Sequence, residues 1–248
     1  DEDVTGVQTC ALPILDLRLL SQGEQRRFKK AGGHLAQTPW LPFGIDVEFW
    51  RPDESTAGRG GDAYVLSIGN DINRDYVTLT AAWRPEFPNL KIMTRLPVKT
   101  TAHNIEVMHS DWFAQVFTDG ELRKLIRNAL FVIVPVRQTI QPSGQSACLQ
   151  AMACGKAVVL SDIDGLWDRD NMIDQHNCIL VPPGSVDALS ESVAVLLADP
   201  ARLAAPGAAA RRSVECPLNL RLVPAPLQRM IEGPNPPTTP PHHSTTPP

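Results

Sequence analysis

Residues 141–160 read QPSGQSACLQAMACGKAVVL, and this stretch decides the fold. Pro142, Ser143 and Gly144 are turn and loop formers. Residues 146–154 form a small-residue helix that turns Leu149, Met152 and Ala153 toward a core. Gly155 is placed to close that helix in a left-handed conformation. Residues 157–160 follow as a short apolar run, the pattern of a strand buried on both faces. A glycine-containing loop that feeds a helix N-terminus can hold an anion with its backbone N–H groups and the helix dipole. The stretch therefore predicts a phosphate site between a loop and a helix.

Working outward, strand and helix signals alternate. Residues 64–68 are apolar and β-rich. Asp75 is a candidate cap for a helix bearing Val77, Leu79 and Trp83. Residues 90–94 predict a second strand and residues 105–108 a weaker third. Asp119 is a candidate cap for a helix with Leu122, Leu125, Ile126 and Ala129 at helical spacing. Residues 131–135 and 178–181 read as strands on either side of the opening stretch. Ser185 can cap a helix carrying Leu189, Val193, Leu196 and Leu197. Such units imply an α/β fold, a Rossmann-like parallel sheet with helices on both faces. Ligands in these folds lie beyond the carboxyl ends of the strands. The loops singled out are 69–74, 95–101, 116–119, 136–146 and 161–166.

Bulk properties narrow the function. The chain has 248 residues, 43% hydrophobic and 20% charged, enough for a sizeable core. A net charge of −4 argues against a nucleic-acid binder. No apolar run reaches the roughly 20 residues of a membrane-spanning helix. The five cysteines lack metal-ligand spacing, and Cys148, Cys154 and Cys178 fall in apolar surroundings. That usage favours a reducing, cytoplasmic setting over a disulfide framework.

Several residues can carry chemistry. Gly69 permits close backbone approach after the first strand, and Arg74 can grip a phosphate through two parallel hydrogen bonds. Gly144, Gln145 and Ser146 can offer backbone N–H groups, and Ser146 its hydroxyl, to a second phosphate. Asp162 and Asp164 follow a strand end, where aspartates are usually turn formers, and Arg95 reads as a solvated arginine. His34, His103, His109 and His176 show no metal spacing, and no metal is expected.

The run Ala151-Met152-Ala153-Cys154-Gly155-Lys156-Ala157-Val158-Val159 resembles the donor-binding motif of retaining GT-B glycosyltransferases of the group-1 type. Residues 41–52, LPFGIDVEFWRP, resemble that family's hinge between its two domains. The resemblance runs in good order over residues 41–199 and more loosely to 231. It implies the C-terminal half of a GT-B fold, with a nucleotide sugar, UDP- or GDP-linked, as donor. Asn70 stands where the family has an arginine, and Arg74 near the place of its lysine; those cations neutralise the donor diphosphate. Gln150 corresponds to the glutamate that holds the ribose diol, and Gln141 lies near the glutamate that touches the donor sugar. Glutamine has one acceptor oxygen and no charge, so reduced or altered catalysis, or a donor geometry that does without the charge, is expected.

The implied organisation has four parts. Residues 1–14 form a non-native leader resembling a translated sequencing adapter. Residues 15–52 are a remnant of the N-terminal domain and hinge, with a helix signalled by Ser21 and Glu24, running through Lys30 to Gly32. Residues 53–231 form the nucleotide-sugar-binding domain, and 232–248 a Pro/Thr-rich tail expected to be disordered. The resemblance implies the donor-binding part of a retaining glycosyltransferase, inactive alone, whose acceptor is unknown. Peripheral membrane contact of the full-length protein stays open. The alternative is a non-catalytic nucleotide-binding or interaction module of the same fold. A flavodoxin-like binding domain is a third reading, which predicts a coloured or redox-active cofactor.

Overall fold

The structure, a computed structural model, describes residues 22–30, 43–53, 63–109, 117–199 and 201–215. The leader, the Ser21 cap, Gly32, the loop at 54–62, residues 110–116 and everything beyond 215 lie outside the described residues.

Six strands form one sheet: β1 Tyr64–Ile68, β2 Asn89–Thr94, β3 Ile105–His109, β4 Val132–Val134, β5 Val158–Ser161 and β6 Ile179–Val181. The helices are α1 Gln22–Lys30, α2 Tyr76–Ala82, α3 Asp119–Asn128, α4 Gln145–Ala153, α5 Val186–Ala198 and α6 Ala201–Glu215. The strand order is β3-β2-β1-β4-β5-β6, with every ladder parallel. Order reverses between β1 and β4, which in such sheets opens a crevice for a ligand.

Side-chain alternation along each strand builds two cores. On one face Leu66, Ile68, Val132, Val134, Val158 and Leu160 pack with α3, α4 and α6 through Leu122, Ile126, Leu149, Met152, Ala210 and Val214. On the other, Val65, Ile133 and Val159 pack with α2 and α5 through Leu79, Leu189, Val193 and Leu196. The Rossmann-like parallel sheet with helices on both faces is thus observed. Ile45, Val47 and Trp50, from the segment 43–53 that the resemblance reads as a hinge, join the first core.

Local signals fix most boundaries. Asp75 caps α2, accepting from Thr78 N–H at 3.1 Å. Ser185 caps α5. Gly155 takes a left-handed φ of 72° just beyond α4. Some expectations are corrected. The cap of α3 is Thr118, closing a capping box with Glu121, and Asp119 is the first helical residue, where a carboxylate still favours the dipole. Val77 is 71% exposed, because Tyr76 and Leu79 take the buried stripe. Helix α4 starts at Gln145 with Gly144 as its N-cap, so Ser146 lies inside the first turn.

Candidate functional site

The loops after β1 and β4 meet at the point of strand reversal, around a cleft of ≈ 580 Å³. All eight residues singled out for a nucleotide site line it: Gly69, Asn70, Arg74, Gln141, Gly144, Gln145, Ser146 and Gln150. Phe43, from the segment 43–53, lines it too.

Arg74 sits at the centre. Its side chain is only 3% exposed, and its Nε lies 3.0 Å from Asp71 Oδ2. That ion pair is close in distance but lacks hydrogen-bond alignment, and Nη1 has no hydrogen-bond partner. The guanidinium occupies a slot between two glycines. A Cβ on Gly69 would overlap Arg74 Nε. A Cβ on Gly144 would come within 2.8 Å of Nη1 and 2.5 Å of Val134 Cγ1. Gly144 also has a φ of 86°, which side-chain-bearing residues rarely adopt.

The surrounding backbone is tied down. Asn73 Nδ2 donates to Gln141 Oε1 at 3.1 Å and to Ser143 Oγ at 2.8 Å, joining the two loops. Arg137 N–H donates to Asn73 O, and Asp75 N–H to Pro135 O. Gly69 O accepts from Tyr76 Oη at 2.8 Å and Thr94 Oγ1 at 2.7 Å. Burial pushes the Tyr76 hydroxyl above its ordinary pKa, keeping it protonated as that donor. Asn70 Oδ1 accepts from Arg95 N–H at 2.7 Å. The side chain of Arg95 is exposed, so its backbone, not its charge, reaches this network.

What remains open toward the cleft is a set of donors. Gln145 is 6% exposed and its Nε2 has no hydrogen-bond partner. Gly144 provides no side-chain cap, and the first N–H groups of a helix have no intrahelical acceptor. Buried donors without acceptors cost about 1–3 kcal/mol each, a cost an anion would remove. Arg74, Gln145 and the start of α4 therefore suit a phosphate group.

The remaining candidates lie elsewhere. Asp162 and Asp164 line a neighbouring cleft, where Asp162 pairs with Arg169 at 2.7 Å. Neither the 95–101 loop nor described residues 117–119 line the main cleft. Among the described residues no group of three His, Cys, Asp or Glu side chains could hold a metal ion. Cys148, Cys154 and Cys178 are buried free thiols, and burial pushes Cys154 up to about 11.

Sequence reading missed Asn73, although an asparagine after a strand-end Gly-Asn-Asp is the residue type that ties loops together. It missed Phe43 as well, which only the folded chain brings to the cleft.

Comparison with known proteins bears on the fold and the family. The family described as glycosyl transferases group 1 matches residues 96–199, a span that includes α3, α4 and the loop at 136–146. No curated protein matches the chain. Sucrose-phosphate synthase from Thermosynechococcus elongatus superposes with a TM-score of 0.72 at 19% identity, covering 94% of this chain and 63% of that one. Anabaena HepE, solved in complex with UDP and glucose, gives 0.70 at 14% identity, covering 88% and 62%. The C-terminal domain of the group 1 glycosyl transferase LpcC from Francisella tularensis gives 0.56 at 15%, covering 71% of this chain and 100% of that domain. The fold is thus that of the GT-B glycosyltransferase structures, and the family match supports a glycosyltransferase domain. The chain spans less than two thirds of the length of the first two structures.

Proposed function

We propose that this chain is the donor-binding part of a retaining glycosyltransferase, taking a nucleoside diphosphate sugar in the cleft between β1 and β4. The observation that supports it is the buried Arg74 guanidinium, with Nη1 unpartnered, facing the start of α4 across Gly144. In transfer, the bond between the anomeric carbon and the diphosphate oxygen breaks and the bonding pair leaves with the diphosphate. A bond then forms from that carbon to an acceptor oxygen, whose proton passes to the departing diphosphate oxygen. Arg74 and the α4 amides stabilise the charge on the departing diphosphate. Gln150 holds the ribose diol and Gln141 contacts the sugar. That UDP accompanies HepE in its structure supports a nucleotide partner of this kind. The free buried thiols fit a cytoplasmic setting.

A second reading, a nucleotide-binding module without transfer, draws on Gln141. Its single acceptor oxygen is already engaged by Asn73, and it carries no charge to offset positive charge on a sugar ring. Calorimetry with UDP and GDP up to millimolar concentration tests the shared part of both readings; binding of neither would remove them together. Glutamate at the places of Gln141 and Gln150 in a full-length homologue then separates them: a large gain in sugar transfer supports the enzyme, and no gain the module.

A further inference from the structure

A second cleft of ≈ 680 Å³ opens beside the first, between α1 and the loop after β5. Its lining is strongly basic on a chain of net charge −4. Arg26, Arg27 and Lys30 come from α1, and Arg169 faces them with Asp162 and Asp164. Arg26 and Lys30 are four residues apart and Arg27 and Lys30 three, so Lys30 shares a helix face with each. All three are exposed, and none of their side chains makes a hydrogen bond or ion pair among the described residues. The carboxylates do not cancel them. Asp162 is committed to Arg169 at 2.7 Å, leaving Asp164 against three cations.

The cleft is built rather than incidental. Gly23 lies so close to Asp164 O that a Cβ there would overlap it. Gln22 N–H donates to Trp167 O at 3.2 Å, and Gln22 Nε2 to Asp170 Oδ2 at 3.0 Å. These contacts dock α1 on the 162–170 loop. The same wall bounds both clefts. Ile140 lines the basic one and Gln141 the donor one, while Gly165 N–H donates to Thr139 O at 2.8 Å and leaves no room for a side chain against Gln141 O.

We infer that the basic cleft binds the phosphate group of a small phosphorylated acceptor, placing it beside the donor sugar. The word acceptor rests on the reading proposed above; the phosphate site does not. Two adjacent guanidinium forks and an ammonium match a doubly charged phosphate better than a single carboxylate, and the unbalanced charge draws such ligands in. A phosphate on a soluble metabolite and one on a lipid headgroup share this chemistry.

The test is calorimetry on the full chain with glycerol phosphate and, separately, UDP, plus co-sedimentation with phosphatidic acid in neutral vesicles. R26A/R27A changes only exposed side chains, so its fold is kept, as an unchanged melting temperature would show. We expect it to lose at least tenfold in affinity for glycerol phosphate or for the vesicles, whichever the wild type binds, and to keep UDP affinity. R74M should do the reverse. Phosphate binding that R26A/R27A leaves intact, or binding of neither probe, overturns the inference. Failure of the donor reading looks different: UDP does not bind, while phosphate binding still depends on Arg26 and Arg27.

Discussion

Arg74 and Arg211 are both drawn into the protein, and they are spent in opposite ways. Arg211 Nη1 donates to Val47 O at 3.0 Å, Trp50 O at 2.8 Å and Ala153 O at 2.7 Å, and its Nε to Glu215 at 2.7 Å. It fastens the segment 43–53, which the resemblance reads as a hinge, to the end of α4. Arg123 and Arg127 do the same from α3, bonding Phe49 O and Arg51 O, with Arg123 also stacked over the Phe49 ring. Arg74 is more buried, yet its Nη1 meets no acceptor. A protein that can saturate one arginine with carbonyls, yet leaves another facing a cleft, separates structural charge from charge kept for a ligand.

Two substitutions test that division, and the larger effect belongs to the hinge. Arg211→Ala strips three carbonyls of a charged donor, and bonds to charged groups contribute about 1.5–3 kcal/mol each without adding fully. A loss of about 3–4 kcal/mol in urea denaturation is expected, with UDP affinity of the folded protein unchanged. Arg74→Met should do the opposite. Apolar replacement of an incompletely paired buried charge leaves stability within about 1 kcal/mol. UDP affinity should fall by about tenfold to a hundredfold, or about 1.4–2.8 kcal/mol. Should Arg74→Met unfold the chain as Arg211→Ala does, Arg74 is structural and the distinction fails.

How much of this was legible depends on the range over which each feature is determined. The sheet was legible because parallel strands buried on both faces read as short apolar runs, and residues 64–68, 131–135 and 157–160 are such runs. Gly69, Arg74, Gly144, Gln145 and Ser146 were legible because strand ends and a glycine before a helix mark the place where a doubly wound sheet takes its ligand, whereas Asn70, Gln141 and Gln150 came only from the family resemblance. The hinge clamp was not. Arg211 lies 164 residues from Val47, and nothing local distinguishes an arginine that will saturate backbone carbonyls from one on the surface. The slot between Gly69 and Gly144 was hidden for the same reason. Each glycine reads singly as a turn former, and only the fold places one guanidinium between them. Thr118 displaced Asp119 as a cap because the reciprocal bond from Glu121, three residues on, favours the threonine.

The same pair of regions differs in its glycines, with a smaller effect. Gly144 and Gly155 both have left-handed φ, 86° and 72°. Alanine at either costs about 1–2 kcal/mol for that conformation. At Gly155 the nearest neighbour of the new Cβ is Pro52 Cγ at 3.2 Å, a contact the ring can ease. At Gly144 it meets Val134 in the core and displaces Arg74. Gly144→Ala should therefore lose roughly 2–3 kcal/mol of stability together with UDP affinity, the extra coming from overpacking. Gly155→Ala should lose stability alone, read by thermal melts beside calorimetry.

The smallest effect expected is a gain. Gln150 lines the cleft between β1 and β4 and is half-buried, on the helix turn that follows Ser146. Its amide has one acceptor oxygen, whereas a carboxylate there could accept from both hydroxyls of a ribose. The cleft already holds the unpartnered Arg74 donor, so an added negative charge would not sit among like charges alone. Gln150→Glu should therefore raise UDP affinity about threefold to fivefold, close to 1 kcal/mol, and raise affinity for the 2′,3′-dideoxy nucleotide hardly at all. Equal gains for both ligands would mean that the new charge acts at long range rather than on the diol. A loss for both would mean that the glutamine is suited to the donor this cleft takes, and that its neutrality is part of how the site differs from the hinge, where every exchange of charge is with the protein itself.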